Sequence, residues 1–157
     1  MFWGADNFAN ELPIGRWLVW IKRAVEIAAP KSYGDCELAW VSEKGNIKAH
    51  RQISDGCIRQ GEEHGIVRLH PSQKPIALMK WCLSFFPNSQ IILDPFMGSG
   101  TTGAACAKLG KKFIGIELDP NYFDIACKRI EEAYKQPDMF VEQPKQNEIQ
   151  EDFDLGS

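Results

Sequence analysis

Two carboxylates at the ends of apolar runs, the first followed by a glycine-rich turn, are the residues of this chain best placed to do chemistry. Gln90-Ile91-Ile92-Leu93 ends at Asp94, the chain turns through Pro95-Phe96-Met97-Gly98-Ser99-Gly100, and Thr101 to Leu109 is a helix-forming stretch of small residues closed by Gly110. That order reads as strand, tight loop and helix N-terminus. Glycine lets a backbone take positive φ and approach a ligand closely, while the first N–H groups of a helix point at whatever sits above the loop. A second apolar run, Phe113 to Ile116, ends at Glu117. Together they describe a holder for a nucleotide-like small molecule.

The spacing alone admits two ligand classes. Gly98-Ser99-Gly100-Thr101-Thr102-Gly103 satisfies G-x-G-x-x-G, and Glu117 lies 19 residues past Gly98, where a dinucleotide fold keeps its ribose-binding acid. Asp94 disfavours a dinucleotide oxidoreductase, because a pyrophosphate would share its corner with a carboxylate; the chain also lacks any constellation for hydride transfer. A cationic ligand gains from the same charge. S-adenosylmethionine fits, with an amino group and a sulfonium for Asp94, ribose hydroxyls for Glu117 and no phosphate.

The flanking motifs make a resemblance specific. Asp94-Pro95-Phe96-Met97-Gly98-Ser99-Gly100-Thr101-Thr102 follows His70-Pro71-Ser72-Gln73-Lys74-Pro75 and precedes Phe113-Ile114-Gly115-Ile116-Glu117-Leu118-Asp119-Pro120-Asn121-Tyr122-Phe123. In that order these segments resemble the amino-methyltransferases that modify adenine N6 or cytosine N4 in DNA, more narrowly the phage and prophage type of the circularly permuted β class. Phe2 to Phe8, Trp17 to Arg23 and Cys36 to Trp40 resemble the same family's middle section, so the resemblance covers roughly residues 1–135. It implies an α/β, Rossmann-like methyltransferase sheet with S-adenosyl-L-methionine as cofactor. The cofactor set is then Asp94, Pro95, Phe96, Gly98, Ser99, Gly100, Thr101, Glu117 and Leu118. Gln73 and Lys74 join it, because a lysine at a helix start is electrostatically unfavoured and suggests an anionic partner such as the methionine carboxylate.

One family element has no counterpart. Members carry an Asp-Pro-Pro-Tyr type tetrapeptide that holds a flipped-out base by its exocyclic amine and stacks on its ring, and no such string occurs in this sequence. Asp119-Pro120-Asn121-Tyr122 comes nearest, but Asp119 reads as a helix N-cap with Pro120 at the first helical position. The expectation is therefore a methyltransferase domain that is incomplete, missing its catalytic strand, with no catalytic residue in this chain and doubtful activity alone. The resemblance implies methylation of a DNA base amine, adenine N6 in preference to cytosine N4. The alternative is an inactive remnant or subunit that binds S-adenosylmethionine or DNA and complements another chain supplying the tetrapeptide.

The remaining sequence sets the frame. Residues 136–157 hold six acids and one lysine, so the rest of this chain of net charge −3 is +2, weak support for a nucleic-acid surface. That tail lacks periodicity and reads as disordered. The five cysteines, Cys36, Cys57, Cys82, Cys106 and Cys127, form no C-x-x-C pair, so neither zinc nor a disulfide framework is expected. No signal peptide or membrane-length apolar run is present, which points to a cytoplasmic protein, bacterial or phage-encoded, with double-stranded DNA as partner and no membrane association.

Element by element, Met1 to Gly4 reads as the end of a strand, Trp17 to Lys22 and Cys36 to Ser42 as strands, and Ala24 to Ala29 as a short helix. Residues 43–69 read as a long loop, which the resemblance makes the target-recognition segment; Lys44, Lys48, Arg51, Arg59 and Arg68 are its candidate DNA contacts. Ile76, Met79, Cys82, Leu83 and Phe86 recur at helical spacing after Pro75, and a last helix spans Pro120 to about Tyr134. The domain division is 1–135, with residues 70–135 as its cofactor half, and a tail at 136–157. Loss of a central strand would leave an apolar edge exposed, giving marginal stability or self-association.

Overall fold

The computed structural model describes residues 1–23, 34–55, 58–59 and 69–135. The helix expected at 24–29, the tail from 136, Cys57, Arg68 and the side chain of Arg59 lie outside them.

Alternating burial builds the first sheet. Strand β2 (Arg16–Ile21) pairs antiparallel with β3 (Cys36–Val41), in register from Arg16 opposite Val41 to Ile21 opposite Cys36. Leu18, Trp20, Ala39 and Val41 are buried on the shared face, as the period of two requires. Strand β1 (Phe2–Trp3) adds to the far side of β3, and β4 (Lys48–Arg51) runs parallel to β2 on the other side, giving the order β1-β3-β2-β4. Between β1 and β2 lies a kinked 3₁₀ segment, Ala5–Glu11. Strands β5 (Ser54–Asp55) and β6 (Ile58–Arg59) form a small antiparallel pair.

This corrects the expectation of a loop throughout 43–69. Lys48-Ala49-His50-Arg51 has almost no β-former and no apolar alternation, yet it lies along β2 with Leu18 opposite Lys48 and Ile21 opposite Arg51. A distant strand supplies its hydrogen-bond partners, and the pattern of a polar edge strand does not announce that.

The second sheet is a parallel pair, β7 (Ile91–Asp94) with β8 (Lys112–Gly115), joined through helix α2 (Thr101–Lys108) and followed by α3 (Pro120–Lys135). Parallel strands need such a crossover. Helix α1 (Ile76–Leu83) carries the core between the sheets: its Leu78, Met79, Cys82 and Leu83 cluster with Leu18, Trp20, Ala39 and Val41 of the first sheet and with Ala105 and Cys106 of α2. Full burial of a side chain such as Leu78 contributes roughly 1.5–3 kcal/mol. Helix α2 is built of small residues because its neighbours press close. A Cβ on Gly103 would lie 2.5 Å from Ile130 Cδ1 of α3 and 2.7 Å from Phe113 of β8.

Among the described residues β1 pairs only with β3 and β7 only with β8, so each is terminal in its sheet. Residues of both strands line a single cleft of about 610 Å³.

Candidate functional site

Strand pairing delivers the two acids. Because β7 and β8 run parallel with Asp94 opposite Gly115, Asp94 and Glu117 emerge at the same end of the pair, the C-terminal strand edge where open α/β sheets bind ligands. The turn between them is locked. Gly98 and Gly100 take φ of 52° and 75°, conformations that side chains resist. A Cβ on Gly100 would also stand 2.9 Å from the Ala126 backbone of α3.

Each acid is bound into the turn. Asp94 accepts from Phe96 N–H (3.1 Å) through Oδ1 and from the Thr102 hydroxyl (2.7 Å) through Oδ2. Glu117 accepts from Gly98 N–H (2.8 Å) through Oε2, and from Leu118 N–H (2.9 Å) and Asp119 N–H (3.0 Å) through Oε1. These bonds, that from Asp119 first, hold its carboxyl below the ordinary carboxylate range. Gly98 N–H is thus committed to a carboxylate and is not offered to a phosphate, as a dinucleotide loop would need. Asp119 Oδ1 accepts from Asn121 and Tyr122 N–H at 2.8 and 3.2 Å, so Asp119-Pro120 starts α3 as its sequence indicates.

The His70–Lys74 element lies over the turn. Gln73 is buried, and its Oε1 accepts from Leu69 N–H (2.9 Å) while its Nε2 is buried without a partner among the described residues. His70 packs against Tyr122 with ring centroids 4.4 Å apart, and its ring lies near Gly98. Lys74 sits 3.3 Å from Glu37 and 5.3 Å above the Trp3 ring. Burial raises the Glu37 pKa, but Lys74 and Lys22 outweigh that and its carboxyl ends below the usual value.

Of the residues expected to hold a cofactor, Gln73, Lys74, Asp94, Pro95, Phe96, Gly98, Ser99 and Thr101 line the cleft together. Gly100 caps α2 in the left-handed conformation. Glu117 enters through its bond to Gly98, and Leu118 projects outward, 93% exposed. Three contributors did not stand out in the sequence. Trp3 and His70 line the cleft, and Trp3 Nε1 is a second buried donor without a partner among the described residues. The third, Arg129, bonds to Ser99 from 30 residues away. His70 opens an element whose glutamine and lysine were already singled out; nothing local marks Trp3 or Arg129.

The expected DNA contacts are less unified. Lys44, Lys48 and Arg51 are exposed. Lys48 and Arg51 sit three residues apart on β4 and so alternate between its faces, while His50 stacks on Trp81 of α1 at 4.9 Å. Among the described residues no group of His, Cys, Asp and Glu could hold a metal ion, and no helix is long and apolar enough to cross a membrane. Burial pushes the Cys82 and Cys106 thiols up to about 12, as inert core groups.

A protein-family model described as DNA methylase matches residues 15–128. The type II methyltransferase M.HinfI of Haemophilus influenzae is 43% identical over 86 residues, which is 54% of this chain and 24% of that protein. M2.DpnII of Streptococcus pneumoniae, also a type II methyltransferase, is 48% identical over 63 residues, 40% of this chain and 24% of that protein. The chain thus aligns with about a quarter of the length of these relatives. In fold it is similar to TTHA0409 of Thermus thermophilus, named as a putative DNA modification methylase and solved with S-adenosyl-L-methionine: TM-score 0.50, 23% identity, covering 76% of this chain and 54% of that one.

Proposed function

Because this chain belongs to the DNA methylase family, we propose that it binds S-adenosyl-L-methionine in the cleft between Asp94 and Glu117 and serves methylation of an exocyclic amine of double-stranded DNA, adenine N6 in preference to cytosine N4. The observation that carries this reading is the pairing of β7 with β8, which sets two carboxylates at one strand end around a turn whose Gly98 N–H is already taken by Glu117. The residues fit the cofactor. Gln73 Nε2 and Trp3 Nε1, buried donors without partners among the described residues, belong to residues lining a cleft that also holds Asp94, Lys74 and apolar walls. Leaving them unsatisfied costs about 1–3 kcal/mol each.

When bound, S-adenosyl-L-methionine supplies an electrophilic methyl group on a sulfonium. Asp94 offers negative charge to the cationic end, strengthened by the low dielectric of a closed site. Glu117 spends three of roughly four carboxylate lone-pair positions on N–H groups, leaving about one for a ribose hydroxyl. Gln73 and Lys74 address the methionine carboxylate, with the Lys74 charge shared with Glu37. Pro95 and Phe96 wall the opening; Phe96, 81% exposed, is free to close on an adenine ring. Lys44, Lys48, Arg51, Arg59 and Arg68 are the candidate contacts to DNA phosphates, and such a substrate places the protein in the cytoplasm.

A second reading has its own observation. The terminal strands β1 and β7 line one cleft and both leave apolar side chains open, Phe2 at 46%, Ile91 at 57% and Leu93 at 60% exposed. An added strand carrying the Asp-Pro-Pro-Tyr type element would cover them and bring the amine-holding groups beside Asp94. In this reading the present chain binds cofactor and DNA, and transfer requires that element, in cis or from another chain.

Titration calorimetry with S-adenosyl-L-methionine, S-adenosylhomocysteine and NAD tests the cofactor: the first two bind, and binding of NAD alone overturns the assignment. Labelled-methyl transfer to unmethylated DNA tests the chemistry. Little label is expected from this sequence by itself, and label at adenine N6 once a segment with the tetrapeptide is supplied. Label only at cytosine would reverse the base assignment.

A further inference from the structure

We propose that Arg129, in the middle of α3, is a positioning residue that sets the glycine turn in its ligand-binding shape; the functional consequence rests on the S-adenosyl-L-methionine reading above. Arg129 Nη1 donates to Ser99 O at 2.6 Å, to Ser99 Oγ at 2.8 Å and to Thr101 Oγ1 at 3.3 Å. Ser99 and Thr101 are 3% and 7% exposed, so these bonds are largely shielded from water. Arg129 is not among the residues lining the cleft and acts through Ser99 and Thr101.

The Ser99 carbonyl and the Gly100 N–H belong to one peptide unit. Arg129 holds its oxygen end, and Met97 O accepts from its N–H end at 2.9 Å. A planar peptide clamped at both ends cannot flip, although glycines with positive φ flank Ser99 on both sides and would otherwise make this the most pliable stretch of the turn. The preceding anchor is the Gly98 N–H bond to Glu117. Glu117 and Arg129 therefore grip alternate peptides of one loop, Met97–Gly98 and Ser99–Gly100, from the segment that follows β8. Helix α3 transmits the position of the second acid to the turn around the first.

The test uses the full chain with Arg129→Gln and the conservative Arg129→Lys. Hydrogen exchange on the ligand-free protein is read at Gly98 and Gly100. A clamp predicts about tenfold faster exchange in R129Q at these two amides, with β7 and β8 amides unchanged and R129K close to wild type. Unchanged exchange at Gly98 and Gly100, or uniform acceleration through β7 and β8, would overturn it. Calorimetry well below each melting temperature then reads the consequence: S-adenosyl-L-methionine binds about tenfold more weakly to R129Q, with substantial rescue in R129K. Equal affinity in wild type and R129Q overturns the positioning role. If wild type itself fails to bind, the cofactor reading fails, while local exchange still decides the clamp.

Discussion

The glycine-turn half of the molecule, residues 91–135, and the four-stranded sheet use their charged side chains in opposite ways. Around the turn, Asp94, Glu117, Asp119 and Arg129 all bond to backbone groups. In the sheet, charges meet one another: Arg16 with Glu43 at 3.4 Å, Lys22 with Glu37 at 3.0 Å and Arg23 with Asp35 at 2.6 Å. A charge-assisted bond to a peptide group fixes that peptide and contributes about 1.5–3 kcal/mol. A surface ion pair contributes about 0–1 kcal/mol and is screened by salt. The backbone of the turn is fixed by its charged side chains, whereas the sheet's charges are matched to one another in ion pairs.

The sharpest way to break this contrast is to disturb one glycine in each half. Gly100→Ala places a side chain at φ 75° and 2.9 Å from the Ala126 backbone, with no flexible neighbour to yield. Strain and overpacking each cost about 1–3 kcal/mol, so a loss of about 2–5 kcal/mol is expected in denaturant melts, together with loss of S-adenosyl-L-methionine binding. Gly45→Ala, between β3 and β4, meets only the flexible Arg16 side chain at 3.2 Å and should stay within about 0.5 kcal/mol of wild type. Equal losses at the two positions would show that the turn is not specially constrained.

The halves also differ in how much their sequences reveal, for the same physical reason. The turn is legible because its bonds are short-range: Asp94 reaches Phe96 and Thr102, and Asp119 reaches Asn121 and Tyr122. Its glycines are demanded by local geometry. Strand β4 is not legible, because Lys48 to Arg51 become a strand only through β2. Arg129 and the pairing of Lys74 with Glu37 are hidden likewise, since both depend on residues brought together by packing. Local chemistry writes a motif into consecutive residues; non-local chemistry leaves isolated letters.

A smaller effect should come from His50, where β4 meets α1. Its ring is stacked on Trp81 and its Nε2 is buried without a partner among the described residues. Burial lowers its pKa from 6.5, more than its bond with Gln52 raises it. The folded protein therefore resists protonation more than the unfolded chain. Stability is fully present above about pH 6.5 and is lost as pH falls from there toward the folded value. Melting temperatures should decline between pH 7 and 5.5, and His50→Phe, which keeps a ring against Trp81, should flatten that decline. Glu37 and Glu117, both lowered, add their own losses only below about pH 4.5. An unchanged slope in the variant would separate β4 from the stability of the sheet.

The smallest effect tests the sheet's ion pairs directly. Glu43 is 60% exposed at its side chain while the Arg16 side chain it meets is 14% exposed, its guanidinium also 4.7 Å from the Phe85 ring. The arginine keeps its apolar stem and its aromatic contact when the acid goes. Glu43→Gln should therefore cost less than about 1 kcal/mol in low salt and nothing measurable at about 0.5 M salt, where screening has removed the pair's attraction. Removing an acid beside Arg16 should at the same time strengthen non-specific DNA binding at low salt, because the neutralised partner no longer competes with phosphate. Gel-shift titrations at two salt concentrations read this. If Glu43→Gln weakens DNA binding or destabilises the fold by several kcal/mol, the pair is structural, and the sheet is as firmly fixed as the turn.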